Sequence, residues 1–62
     1  MNAKQELVFA RRWRVVEVNQ LKSLIHRREK PELINAQMVD VIESCLNEGV
    51  LTERLRVEEE AS

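Results

Sequence analysis

The stretch from Ile34 to Val50, INAQMVDVIESCLNEGV, decides the fold that this sequence predicts. Its apolar residues recur at steps of three and four, which is the period of one face of an α-helix. These residues are Ile34, Met38, Val41, Ile42 and Cys45. Gly49 then precedes another apolar residue, a composition typical of a left-handed cap at the end of a helix. The stretch therefore predicts a helix that ends at about Glu48.

The segment before this stretch predicts a longer helix, over residues 3–29. Asn2 can cap its start, and no proline or glycine interrupts it before Pro31. Arg14 and Glu17 lie on the apolar face, at a spacing that allows them to pair across one turn. We expect Arg14 to lie at the edge of this face with its stem buried and its guanidinium in water. The alternative is that the pair crosses a subunit interface and fixes its register. The predicted apolar face consists of Leu7, Ala10, Trp13, Val18, Leu21, Leu24 and Ile25.

Pro31 predicts the boundary between the two helices, because it disfavours helical geometry in the preceding residue and suits the first turn of a helix. A connection this short makes consecutive helices antiparallel neighbours. After Gly49, Thr52 can cap a short third helix, and residues 58–62 form a frayed acidic tail. We therefore expect an all-α fold for the single small domain 1–62: an antiparallel helical hairpin with a short third C-terminal helix, completed by dimerisation.

A second interpretation treats residues 7–18 as a β-strand, because this segment is rich in valine and its polar residues partly alternate with apolar ones. Asn19 would then cap a shorter helix. A basic strand followed by two helices is the order of elements in a ribbon-helix-helix DNA-binding dimer. No proline or glycine lies between Trp13 and Asn19, and the basic face lacks asparagine or glutamine to read bases. The pattern therefore favours the helix.

The length of 62 residues, with a mass of 7.3 kDa, limits the core that the chain can build. Small domains usually compensate with disulfides, a structural metal or association. Cys45 is the only cysteine and His26 the only histidine, which excludes an intrachain disulfide and a four-ligand zinc site. Association with a partner is the remaining route. A lone cysteine on an apolar face fits a reducing compartment, so we expect a cytoplasmic protein.

The two halves of the chain carry opposite charge. Residues 1–31 have eight Lys and Arg against three Glu, a net charge of +5, whereas residues 32–62 have two Arg against eight acids, a net charge of −6. This asymmetry favours antiparallel packing of the halves or a head-to-tail dimer. In the alternative interpretation, the basic half contacts a polyanion. Apolar runs are too short for a membrane span or a signal peptide.

Residues that could carry chemistry lack the necessary neighbours. His26 is surrounded by cations and has no acid to orient it, and Cys45 lies near acids that do not activate a thiol. Gly49 is the only glycine, so a phosphate-binding loop is excluded. We therefore expect no enzyme activity, no cofactor, no metal and no small-molecule substrate.

The function that remains is that of a small adaptor or regulator that binds itself, a larger protein, or both. Apolar residues outside the predicted helix faces are candidates for the partner-binding surface. They are Phe9, Val15, Val16 and Val39. The alternative function is a DNA-binding transcriptional regulator, because arginines beside Trp13 suit phosphate pairing and stacking. Its candidate contact residues are Arg11, Arg12, Arg14, Lys22, Arg27 and Arg28.

Overall fold

The computed structural model describes residues 2–61, which form two antiparallel helices, α1 (Ala3–His26) and α2 (Pro31–Ala61). The hairpin is 49 Å long. The predicted all-helical hairpin is thus confirmed. No strand occurs in residues 2–61, so the ribbon-helix-helix alternative is wrong. The same residues contain no helix with the combination of length and apolar character that crossing a membrane requires.

Asn2 caps the start of α1, as its sequence position predicts. The backbone N–H of Gln5 donates to Asn2 Oδ1 at 2.9 Å, and the backbone N–H of Asn2 donates back to Gln5 Oε1 at 3.3 Å. This reciprocal pair is a capping box, which satisfies two of the donors that the first turn of a helix leaves unpaired.

Helix α1 ends three residues earlier than the sequence predicts, in a left-handed cap at Arg28. This residue has φ of +56°, its N–H donates to Ile25 O at 3.0 Å, and the N–H of Glu29 donates to Leu24 O at 3.1 Å. These two bonds form a Schellman motif, in which glycine is the usual left-handed residue. Pro31 then starts α2, as predicted.

Replacing Arg28 with glycine is expected to raise the free energy of unfolding by about 1 kcal/mol, because glycine adopts a positive φ without the steric cost that a Cβ imposes. Urea denaturation followed by far-UV circular dichroism measures this change. Arg27→Gly is the matched control, since Arg27 has φ of −79° and glycine there should destabilise the protein. A loss of stability in Arg28→Gly would show that the Arg28 side chain matters more than its backbone geometry.

The predicted helix end at Glu48 and the predicted third helix are both wrong, because α2 continues through Gly49 without a positive φ. Burial explains the continuation. Leu51 and Leu55 pack at the same end of the hairpin against α1, and only an uninterrupted helix keeps both on that face. The hydroxyl of Thr52, predicted to cap a new helix, instead donates to Glu48 O at 2.8 Å within α2.

The last turns of α2 carry their own ion pairs. Arg56 contacts Glu53 and Glu60, which lie three and four residues away on the same helix face. The hydrogen bond from Arg56 holds the pKa of the Glu53 carboxyl below its usual value. Residues 58–61, predicted to form a frayed tail, continue α2 in the structure, and Ser62 lies outside the described residues.

The helices pack along a seam whose residues alternate steps of three and four, the period of a coiled coil. Buried and half-buried side chains mark the seam. Helix α1 contributes Ala3, Leu7, Ala10, Arg14, Glu17, Leu21 and Leu24, and α2 contributes Ile34, Gln37, Val41, Ser44, Glu48, Leu51 and Leu55. Its two ends are apolar, whereas its middle is polar.

Several residues predicted for the packed faces are exposed instead: Trp13 is 60% exposed, Ile25 53%, Met38 44% and Ile42 55%, and Cys45 is also exposed. The apolar pattern of α2 misleads because polar residues occupy the middle of the seam. The most apolar face of α2 is therefore not the face that packs against α1. The predicted residues that do lie in the seam are Leu7, Ala10, Leu21, Leu24, Ile34 and Val41.

Candidate interaction surface

A buried hydrogen-bonded pair lies in the polar middle of the seam. Gln37 Nε2 donates to Glu17 Oε2 at 2.7 Å and to the backbone oxygen of Glu17 at 2.9 Å. The two residues are 6% and 7% exposed, respectively. Because a side-chain amide has two donor hydrogens, Gln37 can satisfy both acceptors at once. The pair therefore ties one position of α1 to one position of α2.

A second polar contact is centred on Glu48 of α2. Arg14 donates to one of its carboxylate oxygens, and Arg11 Nε lies 3.5 Å from the other. Arg14 and Glu17 therefore do not pair with each other, since each side chain has its partner on the opposite helix. The expectation that the Arg14 guanidinium lies in water is corrected by its contact with Glu48. Partners that lie across the seam on α2 cannot be deduced from the spacing of residues within α1.

These contacts leave no buried side-chain nitrogen or oxygen without a hydrogen bond in residues 2–61. A polar layer inside an otherwise apolar coiled-coil seam specifies alignment, because shifting the helices would leave its groups unpaired. The layer thus positions α2 along α1 and determines which outer residues of the two helices lie side by side.

One side of the hairpin, the Trp13 face, combines exposed apolar residues of both helices. Its members are Phe9, Trp13 and Val16 of α1 with Val50 and Val57 of α2. Glu6 and Arg54 belong to this side and form an ion pair across the seam at 2.7 Å. Shallow grooves run beside Trp13, lined at one end by Asn47, Leu51 and Arg54 and at the other by acidic residues.

The opposite side, the Ile42 face, is also apolar. By helical spacing its members are Val8, Val15, Val18 and Ile25 of α1 with Met38, Ile42 and Cys45 of α2. All are exposed except Val18, which is half-buried. Sequence reasoning placed most of these residues inside the hairpin. The coiled-coil spacing of Leu7, Ala10, Leu21 and Leu24 was the signal that could have placed them outside.

The four predicted partner-binding residues are exposed, with exposed fractions of 54% for Phe9, 47% for Val15, 50% for Val16 and 52% for Val39. The structure does not bring them into one patch. Phe9 and Val16 lie on the Trp13 face and Val15 on the Ile42 face, whereas Val39 lies on the outer surface of α2 between the two sides.

The six predicted nucleic-acid contacts are divided by the fold. Arg11 and Arg14 contact Glu48, and Arg27 lies 4.0 Å from Glu29. The other three, Arg12, Lys22 and Arg28, are exposed. From Arg11 to the connection after α1, the set spans about 25 Å of helix length. The fold therefore disperses these cations along and around α1 and pairs half of them with acids.

Cys45 has a free and exposed thiol, which corrects the prediction that it is buried. His26 is exposed at the end of α1. Within residues 2–61, no group of three or more His, Cys, Asp or Glu side chains is arranged to hold a metal ion.

No protein-family model, curated protein or solved structure matches this chain. The architecture alone therefore defines its class. It is an antiparallel two-helix hairpin with a polar middle in its seam and apolar side chains on both outer faces.

Proposed function

We propose that this chain is a non-enzymatic protein–protein interaction module that acts as an adaptor or regulator. One observation carries the proposal. In residues 2–61, thirteen large hydrophobic side chains are exposed, whereas only four apolar residues are buried. The buried ones are Ala3, Leu7, Ala10 and Leu51, of which two are alanines. The hairpin thus exposes more large apolar side chains than it buries.

This distribution supports binding because single exposed apolar residues are normal on proteins, but contiguous patches mark interaction sites. Phe9, Trp13 and Val16 follow one another at four and three residues on α1, the spacing with which a helix presents anchors to a partner. Tryptophan is also among the residues that most often dominate binding energy. We place the module in the cytoplasm, where the thiol of Cys45 stays reduced.

A DNA-binding regulator has weaker support. Half of its candidate cations already face carboxylates within the hairpin, and the strand that would enter the major groove is helical. Exposed ion pairs compete with phosphate for the same guanidinium groups. Affinity for DNA that falls steeply with salt would restore this alternative.

Phe9→Glu and Val39→Glu are each expected to abolish binding to the partner while leaving the fold intact. Both side chains are more than half exposed, so the charge is accommodated in the free hairpin but not beneath a partner. The affinity loss should be about thirty-fold or more if either residue is a hot spot. Immobilised wild-type and variant chains, compared for the proteins they retain, measure the loss, and far-UV circular dichroism reports the helicity.

Asn19→Glu is the matched control, since it adds the same charge at an exposed polar position of α1. It should retain the partner. Loss of helicity in both Phe9→Glu and Val39→Glu would show that these residues belong to the core and would contradict the surface assignment. Retention of every partner by both variants would contradict their role in binding.

A further inference from the structure

One of the grooves beside Trp13, the acidic groove, is lined by three carboxylates that have no counter-ion in the hairpin. Its volume is about 300 Å³, and its acids are Asp40, Glu43 and the buried Glu17. Within residues 2–61, no Lys or Arg lies at ion-pairing distance from any of the three, whereas Glu48 pairs with arginine across the seam. The acidic groove therefore carries negative charge that the hairpin does not neutralise.

The sequence around the acidic groove explains why these charges stay unpaired. Helix α2 contains no Lys or Arg before Arg54, so neither Asp40 nor Glu43 has a cation within reach on its own helix. The residues of α1 beside the groove, by helical spacing, are all uncharged. They are Trp13, Val16, Gln20 and Ser23. Like charges three residues apart also repel each other in a helix, so the two acids of α2 are unfavourable neighbours in the free hairpin.

Glu17 adds a carboxylate that is largely removed from water. It is buried, and among residues 2–61 the hydrogen bond to its carboxylate comes from the neutral amide of Gln37. Burying a carboxylate without a counter-charge is costly, even when a neutral donor satisfies it. A cation placed over the groove by another molecule would offset part of this cost and part of the repulsion between Asp40 and Glu43. The groove thus favours a cationic occupant.

Trp13 provides a second reason for a cation and identifies its type. Its indole is exposed and lines the same groove as the acids. Aromatic faces attract cations, and arginine can stack on tryptophan while its guanidinium pairs with neighbouring carboxylates. Beyond Asn47 the Trp13 face becomes apolar, with Phe9 on α1 and Val50 on α2. The occupant therefore needs both an arginine and apolar side chains.

We propose that the Trp13 face binds an amphipathic helix of another protein, which places apolar side chains on Phe9 and Val50 and an arginine in the acidic groove. The inference rests on the proposed function and names the class of partner at this face. A helix fits because the surface lies between two antiparallel helices, where a third helix packs along their length. Val50 and Glu43 are seven residues apart on α2, so the arginine lies about 10 Å, or two helical turns, from the apolar anchors.

Selection from a library of displayed helical peptides tests the chemistry of the occupant. The library consists of alanine-based helices, free of tryptophan, with one face randomised and a length above the roughly 15 residues below which isolated helices are marginal. The immobilised full chain selects the peptides that bind. They are expected to carry an arginine about two turns from apolar residues. Selection of peptides without arginine at this spacing, or of no peptide, would overturn the proposal.

Removing the two exposed acids tests the groove itself. Asp40→Asn combined with Glu43→Gln keeps the side-chain size and should raise the dissociation constant of a selected peptide about tenfold, because charge-assisted contacts are lost. Trp13 is the only tryptophan of the chain, so its fluorescence measures binding at this face. The matched control is Glu53→Gln combined with Glu60→Gln, which removes the same charge from the outer surface of α2 and should leave the affinity unchanged.

Equal losses of affinity in the two double variants would show that net charge, rather than the acidic groove, attracts the peptide, and would refute the assignment. Far-UV circular dichroism should show both double variants as helical as the wild-type chain. Sedimentation equilibrium identifies the source of the helix. Asp40→Asn combined with Glu43→Gln is expected to keep the mass of the wild-type chain, and dissociation of a wild-type dimer by this variant would identify a second copy as the occupant instead.

The proposed function can fail separately from this inference. A protein that Phe9→Glu loses, and that the variant of Asp40 and Glu43 retains at wild-type affinity, would leave the adaptor function standing and contradict the arginine-bearing helix. Retention of every partner by both Phe9→Glu and Val39→Glu, with the expected peptides selected, would contradict the adaptor function and support the chemistry of the acidic groove.

Discussion

Leu51→Ala is expected to lower the free energy of unfolding by about 3 kcal/mol, a large fraction of the stability of so small a domain. Leu51 is 8% exposed and packs with Leu7 and Ala10, with Leu55 beside them. Its truncation removes the buried side chain that α2 contributes to this cluster. Because one of its two α1 neighbours is Ala10, α1 has little side-chain volume with which to fill the cavity.

Urea denaturation followed by far-UV circular dichroism measures this loss, and Leu46→Ala is the matched control. It makes the same substitution in the same helix, at a side chain that is 64% exposed. Its effect should be within about 0.5 kcal/mol of zero, as is usual for surface substitutions. Equal effects in the two variants would show that α2 packs on α1 through a different face.

Gln37→Leu is expected to destabilise the hairpin by about 2 kcal/mol, because the Glu17 carboxylate stays buried after losing the hydrogen bond from Nε2. The leucine side chain fits the apolar character of a seam, yet it has no donor for this oxygen or for the backbone oxygen of Glu17. The loss of stability thus comes from the unpaired oxygens of Glu17 rather than from the removal of the Gln37 side chain itself.

Glu17→Leu added to Gln37→Leu supplies the decisive comparison. Since the double variant removes both polar side chains, it should recover most of the loss and can exceed wild-type stability, as happens when buried ionic groups are replaced by packed apolar ones. Gln20→Leu, at an exposed position of α1, controls for the change in helix propensity. A double variant no more stable than Gln37→Leu alone would refute the proposed buried pair as the source of the effect.

Local signals in the sequence predicted the ends of α1 and the start of α2 within a few residues. Asn2 and Pro31 act through the backbone next to them, so a single sequence is enough to interpret them. Gly49 was misinterpreted because its usual role as a cap is overridden by tertiary packing of Leu51 and Leu55. Arg28 adopts the left-handed cap instead, a geometry that arginine's own propensity does not favour.

The packed face could not be predicted from apolar content. Glu17, Gln37 and Ser44 are buried, and their place in the seam depends on partners across the hairpin rather than on their own hydrophobicity. Exposure of Phe9 and Val39 was predicted correctly by elimination. Their division between different sides depends on the register of α1 against α2, which the polar layer determines through long-range contacts.

The unequal lengths of the helices have a mechanical consequence. Helix α2 has 31 residues and α1 has 24, and every described residue of α2 beyond Leu55 is exposed. Within these last turns, Arg56 forms ion pairs with Glu53 and Glu60 of the same helix. Because these turns bury no side chain in the seam, their unwinding would cost less packing than the opening of the paired part of the hairpin, so we expect amide hydrogens to exchange faster at this acidic end.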